Sequence, residues 1–196
     1  MKKLSKITLA IILLIGIFFV ILTNNSMPLL SNEPTLSRDQ NIITIYYSKT
    51  GNTKAVAQYI HNYLGGELFE IKPIKEYPDD YHATVQIAKE EKETNDRPGT
   101  LYCPDNIQQY DVIFLCYPNW WATMPMLLFT FLENNDLTDK IIIPVCTHEG
   151  SNMGTSIDDI KQLAPKSIVL DGIAIRGSKA HTSDEIIKEW LQKIGF

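Results

Sequence analysis

Cysteine is scarce in this chain, and what there is forms no pattern. Cys103, Cys116 and Cys146 are the only three in 196 residues; no C-x-x-C spacing joins them, and the four histidines are scattered. A disulfide framework and a metal centre are therefore excluded as organising devices. Cys116 and Cys146 lie inside apolar runs and read as small buried hydrophobes. Basic charge is thin as well. Residues 41–196 hold 14 Lys and Arg against 21 Asp and Glu, a net of −7. Such a surface disfavours nucleic acid and anionic lipid, and suits either a basic docking partner or plain solubility. No internal repeat or low-complexity tract occurs, which excludes a solenoid. A G-x-G-x-x-G fingerprint and a Walker A loop are also missing, so there is no recognisable NAD(P)H domain and no triphosphate cradle.

Long apolar runs are limited to one. Lys2, Lys3 and Lys6 precede an uncharged apolar stretch, residues 7–22, followed by Thr23-Asn24-Asn25-Ser26. A positive head and an apolar body read as a signal peptide or as a single-pass anchor. Sixteen helical residues reach roughly 24 Å at about 1.5 Å each, a little short of a ~30 Å hydrocarbon core. Leu4 extends the run, and Lys6 can snorkel to the headgroups. Nothing like Ala-x-Ala follows Leu22 and no cysteine stands there to take a lipid, so an uncleaved transmembrane anchor over residues 1–23 is favoured. The lysines put the tail in the cytoplasm and the remainder on the extracytoplasmic side of the cell membrane, or secreted if the segment is cleaved. Residues 24–40, with Pro28, Pro34 and several Asn and Ser, read as a linker, and residues 41–196 as one domain.

From residue 41 onward, strand-length apolar runs alternate with helical patterns. Residues 42–47 are β-branched and aromatic; Ala55, Val56, Tyr59, Ile60 and Tyr63 then recur at helical spacing until Gly65-Gly66. A short strand at 67–71 closes at Lys72-Pro73. A charged surface helix spans 80–96, with Val85, Ile87 and Ala88 as its apolar stripe, and residues 97–110 form a connection. Strands at 112–117, 141–146 and 167–170 then alternate with helices at 123–133, 155–163 and 183–194. Pro125 suits a first helical turn, and Ser183 is a good N-cap ahead of Asp184 and Glu185. Five strands and five helices predict a three-layer α/β/α sandwich around a parallel sheet. Right-handed crossovers and the chain length favour strand order 2-1-3-4-5. Ligands of such sheets bind beyond the carboxyl ends of the strands, which singles out the loops after Tyr47, Tyr117 and Cys146.

The first loop, Ser48-Lys49-Thr50-Gly51-Asn52-Thr53, brings three hydroxyls and a glycine to a helix N-terminus. N–H groups at a helix start lack intrahelical partners, and the positive end of the dipole adds about 0.3–1 kcal/mol for an anion. Gly51 removes a Cβ that would crowd a phosphate, and Ser48, Thr50 and Thr53 can donate O–H bonds to it. The plain alternative is a polar turn capped by Thr50 or Asn52. The second loop, Pro118-Asn119-Trp120-Trp121-Ala122, sets two tryptophans directly after a buried strand. These are poor loop residues unless something flat covers them. One is expected against a flat ring and the other packed beneath it; the alternative is a pair tucked into the core. The third loop contains Thr147-His148-Glu149-Gly150-Ser151 and, further on, Gly154. Its glycines and donors suit close backbone approach. His148 would serve as an acid near neutral pH or, the favoured reading, stand as a solvated histidine whose backbone does the binding.

Tyr47-Ser48-Lys49-Thr50-Gly51-Asn52-Thr53 after a first apolar strand resembles the flavodoxin fingerprint, an aromatic or small residue followed by Ser/Thr-x-Thr-Gly-Asn-Thr. The resemblance runs over residues 42–194 and is most specific in this loop. It implies a flavodoxin-like fold and FMN as cofactor, with the phosphate held by residues 48–53 and the isoalloxazine ring flanked by residues 118–122 and 147–151. The second loop is similar to the Pro-x-Trp-Trp segment of one flavodoxin-like subgroup. In relatives the third loop is usually Thr-Ser-Gly-Gly-Ser, from which His148 and Glu149 depart. Flavodoxin shuttles often use a second-loop glycine whose peptide turns to hydrogen-bond the singly reduced flavin. Residues 118–122 contain none, which shifts the expectation toward two-electron chemistry.

Three function classes follow. The favoured one is a membrane-tethered FMN oxidoreductase or electron-transfer protein serving an unknown redox partner. The second is an FMN-dependent NAD(P)H:quinone-type reductase, favoured by the glycine-free second loop. The third is a non-redox binding module that kept the fold and lost the flavin, against which Ser48, Thr50 and Thr53 argue. A phospho-receiver domain shares the fold but needs an Asp where Tyr117 stands, and is excluded.

Overall fold

The structure is a computed structural model and describes residues 34–196. The apolar run at 7–22 and the first part of the linker lie outside the described residues. Among those described, no helix is long and apolar enough to cross a membrane.

The strands are β1 (Ile42–Tyr46), β2 (Glu67–Glu70), β3 (Val112–Pro118), β4 (Ile141–His148), β5 (Ile168–Val169) and β6 (Ile173–Arg176). The helices are α1 (Asn52–Leu64), α2 (Tyr81–Thr94), α3 (Met126–Asn134), α4 (Ser156–Leu163) and α5 (Asp184–Ile194). All pairings between named strands are parallel, in the order β2-β1-β3-β4-β5, with β6 also on β4. This is the flavodoxin-like order that the alternation predicts.

The apolar runs of β1, β3 and β4 feed two cores at once, because successive side chains leave a strand on opposite faces. Ile43, Ile45, Leu115 and Ile142 meet Leu127, Phe131 and Ile160 on one side. Phe114, Cys116, Ile143 and Val145 meet Val56, Ile60, Ile187 and Leu191 on the other. Both faces being covered explains why these strands carry no polar alternation.

Three sequence expectations need correction. The fifth position in the sheet is filled by two short strands rather than by one at 167–170. Pro144, in the middle of β4, has no N–H to donate, so the ladder on that side breaks there. Gly172 fills the break so tightly that a Cβ would lie 1.7 Å from the Pro144 carbonyl oxygen. Helix α3 begins only at Met126, because residues 120–123 close a tight turn: the Trp120 N–H donates to the Thr123 carbonyl at 2.7 Å and the Thr123 N–H returns at 3.2 Å. Ser183 precedes α5 as expected, but its hydroxyl donates to the Ala180 carbonyl at 2.8 Å instead of capping the helix.

Residues 34–196 form one compact unit, so the last part of the stretch read as linker belongs to the fold. Leu36 is 7% exposed, within the core under α1 and α5. The Arg38 guanidinium stacks 4.4 Å from the centre of the Tyr63 ring and donates to the Tyr63 carbonyl at 3.1 Å.

Candidate functional site

The loops that follow β1, β3 and β4 enclose, with one face of α2, a cavity of about 660 Å³. That lies within the range of small-molecule sites.

In the first loop, Lys49, Thr50, Asn52 and Thr53 line the cavity, whereas Ser48 and Gly51 do not. Those two shape the turn. Gly51 holds φ +90°, the left-handed region, with nothing within 4 Å of where its Cβ would stand. Within the protein its requirement is thus conformational. The Ser48 hydroxyl accepts the Gly51 N–H at 3.1 Å. Helix α1 starts with no side-chain cap and no acidic residue in its first turn, which leaves its first N–H groups and dipole available to an anion. Thr53 is less free than the sequence implies: its hydroxyl is buried against that of Thr147 at 2.7 Å, tying the first loop to the third. Lys49 ties the first loop to the segment just ahead of α2 by donating to the Tyr77 carbonyl at 2.8 Å and pairing with Asp79 at 3.2 Å.

In the second loop, Pro118, Asn119, Trp120, Trp121 and Ala122 all reach the cavity. The two tryptophans part company. Trp120 packs edge-on against Tyr47 and Tyr77, with ring centres 5.6 and 5.0 Å away. Burial pushes both of those phenols well above the usual tyrosine range. Trp121 is 43% exposed at the rim, and its indole N–H donates to the Val85 carbonyl at 3.0 Å. Trp121 and Ala122 have φ of +53° and +69°. Two consecutive left-handed residues are the signature of a type I′ turn, which normally takes Asn-Gly. For residues with a Cβ, each such position costs of order 1–3 kcal/mol that the surroundings must offset. They do so densely. Asn119 accepts the Ala122 N–H at 3.1 Å and donates to the Asn152 carbonyl at 2.9 Å. The Ala122 carbonyl takes the Thr155 N–H at 2.7 Å. Asp159 accepts the hydroxyls of Thr123 and Thr155 at 2.5 and 2.8 Å, joining the loop to α4.

In the third loop, Thr147, His148, Glu149, Gly150 and Ser151 line the cavity. His148 is not a solvated loop residue: it is half-buried at the end of β4, its Nδ1 shielded without a partner. Burial first, then the Arg176 charge, lowers its pKa against a smaller pull from Glu149, so the ring stays neutral at neutral pH. The close backbone approach that the glycines promise occurs at Gly154, but toward the protein itself. A Cβ there would lie 2.0 Å from the Ala122 carbonyl oxygen.

Sequence reasoning missed the fourth wall. Tyr81, Thr84, Val85 and Ala88 line the cavity from one stripe of α2. The i, i+3, i+4, i+7 spacing is legible in the sequence, but grouping Val85 and Ala88 with Ile87, which packs against a core, hides it. Gly177, just after the unread β6, also reaches the cavity. A Cβ there would meet Glu149 Oε1 at 2.4 Å and Asn52 Nδ2 at 2.9 Å.

Comparison with known proteins places this geometry. The family model described as Flavodoxin matches residues 41–194. No curated protein matches the sequence. Among solved structures, a protein from Bacteroides eggerthii, provisionally described as a flavoprotein, is 29% identical with a TM-score of 0.70, covering 80% of this chain and 99% of its own. A second so described, from Bacteroides uniformis, is 25% identical with a TM-score of 0.70, covering 78% and 98%. A flavoprotein from Lactobacillus acidophilus, solved in complex with FMN, shares the fold at 23% identity and a TM-score of 0.62, covering 73% and 97%. With the fold, the loop placement and the family match in agreement over the whole described sheet, the chain belongs to the flavodoxin family.

Proposed function

We propose that this chain is an FMN-binding flavoprotein that passes reducing equivalents to a partner. One observation carries the reading: the uncapped start of α1 opens onto the same cavity that Trp121 and α2 wall. A dianionic phosphate suits the first feature and a flat apolar ring the second. FMN, when bound, supplies the electron- and hydride-transfer chemistry. The chain's own residues hold and orient it. Thr50, the hydroxyl of the first loop most free to turn outward, would donate to the phosphate beside the α1 amides, and the third loop would offer backbone donors to the ring edge.

The second loop favours two-electron chemistry. Besides having no glycine, it has three of its carbonyls engaged: Trp120 accepts from Thr123, Trp121 from Lys92, and Ala122 from Thr155. None of these three peptides is free to turn toward the ring. The Pro-x-Trp-Trp segment supports membership of the subgroup with that second loop, and the net charge of −7 over residues 41–196 suits a basic redox partner. The apolar run at 7–22 supports a single-pass tether with the domain on the extracytoplasmic side. A quinone-type reductase is the second reading, favoured by the open aromatic rim of Trp121 and of Tyr81, which is 71% exposed.

The test is ligand affinity. Full-length protein should purify yellow or take up FMN, and Thr50→Ala should weaken FMN about tenfold while leaving riboflavin untouched. Equal losses for both ligands would remove the phosphate assignment. Protein that stays colourless in excess FMN would end the reading. Adding NADPH with and without a quinone then separates carrier from reductase.

A further inference from the structure

We propose that Lys92 is a positioning residue. From α2 it clamps the Trp121 carbonyl and, together with the Val85 carbonyl, fixes the indole as a preset wall for the flat ring of the ligand. The identity of that ring rests on the FMN reading above; the clamp is a property of this chain alone.

The turn at Trp121 and Ala122 should not hold by itself. Trp121 and Ala122 sit side by side in the left-handed region, at φ +53° and +69°, where a Cβ crowds the neighbouring carbonyl. The two are held by different partners. Ala122 is fixed from within the loops: its N–H by Asn119, its carbonyl by Thr155, and its close seat by the missing side chain of Gly154. Trp121 has no such support. Its carbonyl accepts from the Lys92 ammonium, its indole N–H donates to the Val85 carbonyl at 3.0 Å, and Lys89 lies 5.6 Å from its ring centre. All three ties come from α2. At 43% exposure, packing alone does not pin the ring either.

The lysines of α2 divide the work. Lys89 pairs with Glu93 at 3.6 Å, one turn along the helix, whereas the Lys92 ammonium goes to the carbonyl. A cation on a carbonyl is a charge-assisted bond, stronger than a neutral one. It holds the backbone of Trp121 while the Val85 bond sets the ring's tilt. Helix α2 is thereby a template for the second loop as well as the fourth wall of the cavity. Any shift of α2 turns the face that Trp121 presents.

Lys92→Met, Lys92→Arg, Ala122→Gly and the double variant Lys92→Met/Ala122→Gly test this in the full chain. The readouts are dissociation constants for FMN and riboflavin, the position of the long-wavelength band of the bound flavin, and the melting temperature of ligand-free protein. Lys92→Met should weaken both ligands to the same degree, about three- to tenfold, because the loss falls at the ring end they share. It should also move the flavin band, while the ligand-free melting temperature falls by less than the affinity loss corresponds to, because the released turn relaxes its own strain. Lys92→Arg should restore wild-type values. Glycine at 122 relaxes half of the left-handed turn, so the double variant should recover part of the loss, a non-additivity that separate structural roles would not produce.

Wild-type affinities and spectrum in Lys92→Met would overturn the proposal. So would a loss confined to FMN, which would make Lys92 a phosphate ligand, or an equal fall in ligand-free stability, which would make it merely structural. Wild-type protein that does not bind FMN would defeat the cofactor reading instead. The clamp is then read in the ligand-free protein, where Lys92→Met must alter the near-ultraviolet circular dichroism of the tryptophans; no change there sinks it.

Discussion

Two titratable side chains near the cavity are displaced from ordinary behaviour in opposite directions. The Tyr77 hydroxyl donates to Glu91 Oε2 at 2.8 Å. Burial nevertheless raises the Glu91 pKa: it outweighs the lowering by that bond and by Lys75, and Asp96 adds to the rise. A carboxyl whose folded pKa is raised contributes stability that is fully present below its unfolded value, near 4.5, and lost as pH climbs through the folded value. Glutamine keeps an acceptor for Tyr77 and carries no charge. Glu91→Gln should therefore raise the melting temperature increasingly as pH rises above 4.5 toward neutrality, and leave it unchanged at lower pH. Melts that run parallel at every pH would show that the buried charge carries no penalty. His148 works the other way. Its lowered pKa gives stability present above the unfolded histidine range and lost in acid. At this scale the sequence marked Trp120 and Trp121 as a pair in need of a flat cover, but which ring turns inward depends on Tyr47 and Tyr77, far away along the chain. His148 misled because nothing in a single sequence shows that β4 extends far enough to half-bury it.

Among elements, the join between β5 and β6 is the least forgiving place in the sheet. Gly172 stands where a Cβ would meet the backbone oxygen of Pro144 at 1.7 Å, and no rotamer can relieve a clash with main chain. Gly172→Ala should cost about 3 kcal/mol or more, read from the urea midpoint of unfolding. A near-native midpoint would mean that the two strands can part there at little expense. Which elements were legible has a physical pattern. Strands β1, β3 and β4 announce themselves because burial on both faces forces unbroken apolar runs. Strand β6 does not, since Ile173–Arg176 is four residues long, ends in a charge and takes its register wholly from β4. The helical spacing of Tyr81, Thr84, Val85 and Ala88 is legible, but only the fold shows that this stripe faces a cavity while Ile87 packs on a core. The left-handed turn at Trp121 and Ala122 lacks the Asn-Gly that would have signalled it, because distant partners supply what glycine would have given locally.

For the molecule as a whole, a parallel sheet sends every ligand loop to one end, and the chain enters the fold at the other. Asn41, just before β1, donates its N–H to Asp111 at 2.9 Å, just before β3. Leu36 and Arg38 lie against that end, Leu36 beside Gly195 and Arg38 on the last turn of α1. These few residues act as a plug, and the plug decides where the polypeptide can be shortened. A cut at residue 41, where the apolar alternation starts, would strip Leu36 from its seat and forfeit about 1.5–3 kcal/mol of burial. Protein starting at residue 34 should therefore melt several degrees above protein starting at residue 41. Coincident melting curves would show the plug to be ornamental. Any protease, splice or expression boundary that respects only the strands would leave an open seam under α1 and α5, prone to fray or to stick to a neighbour.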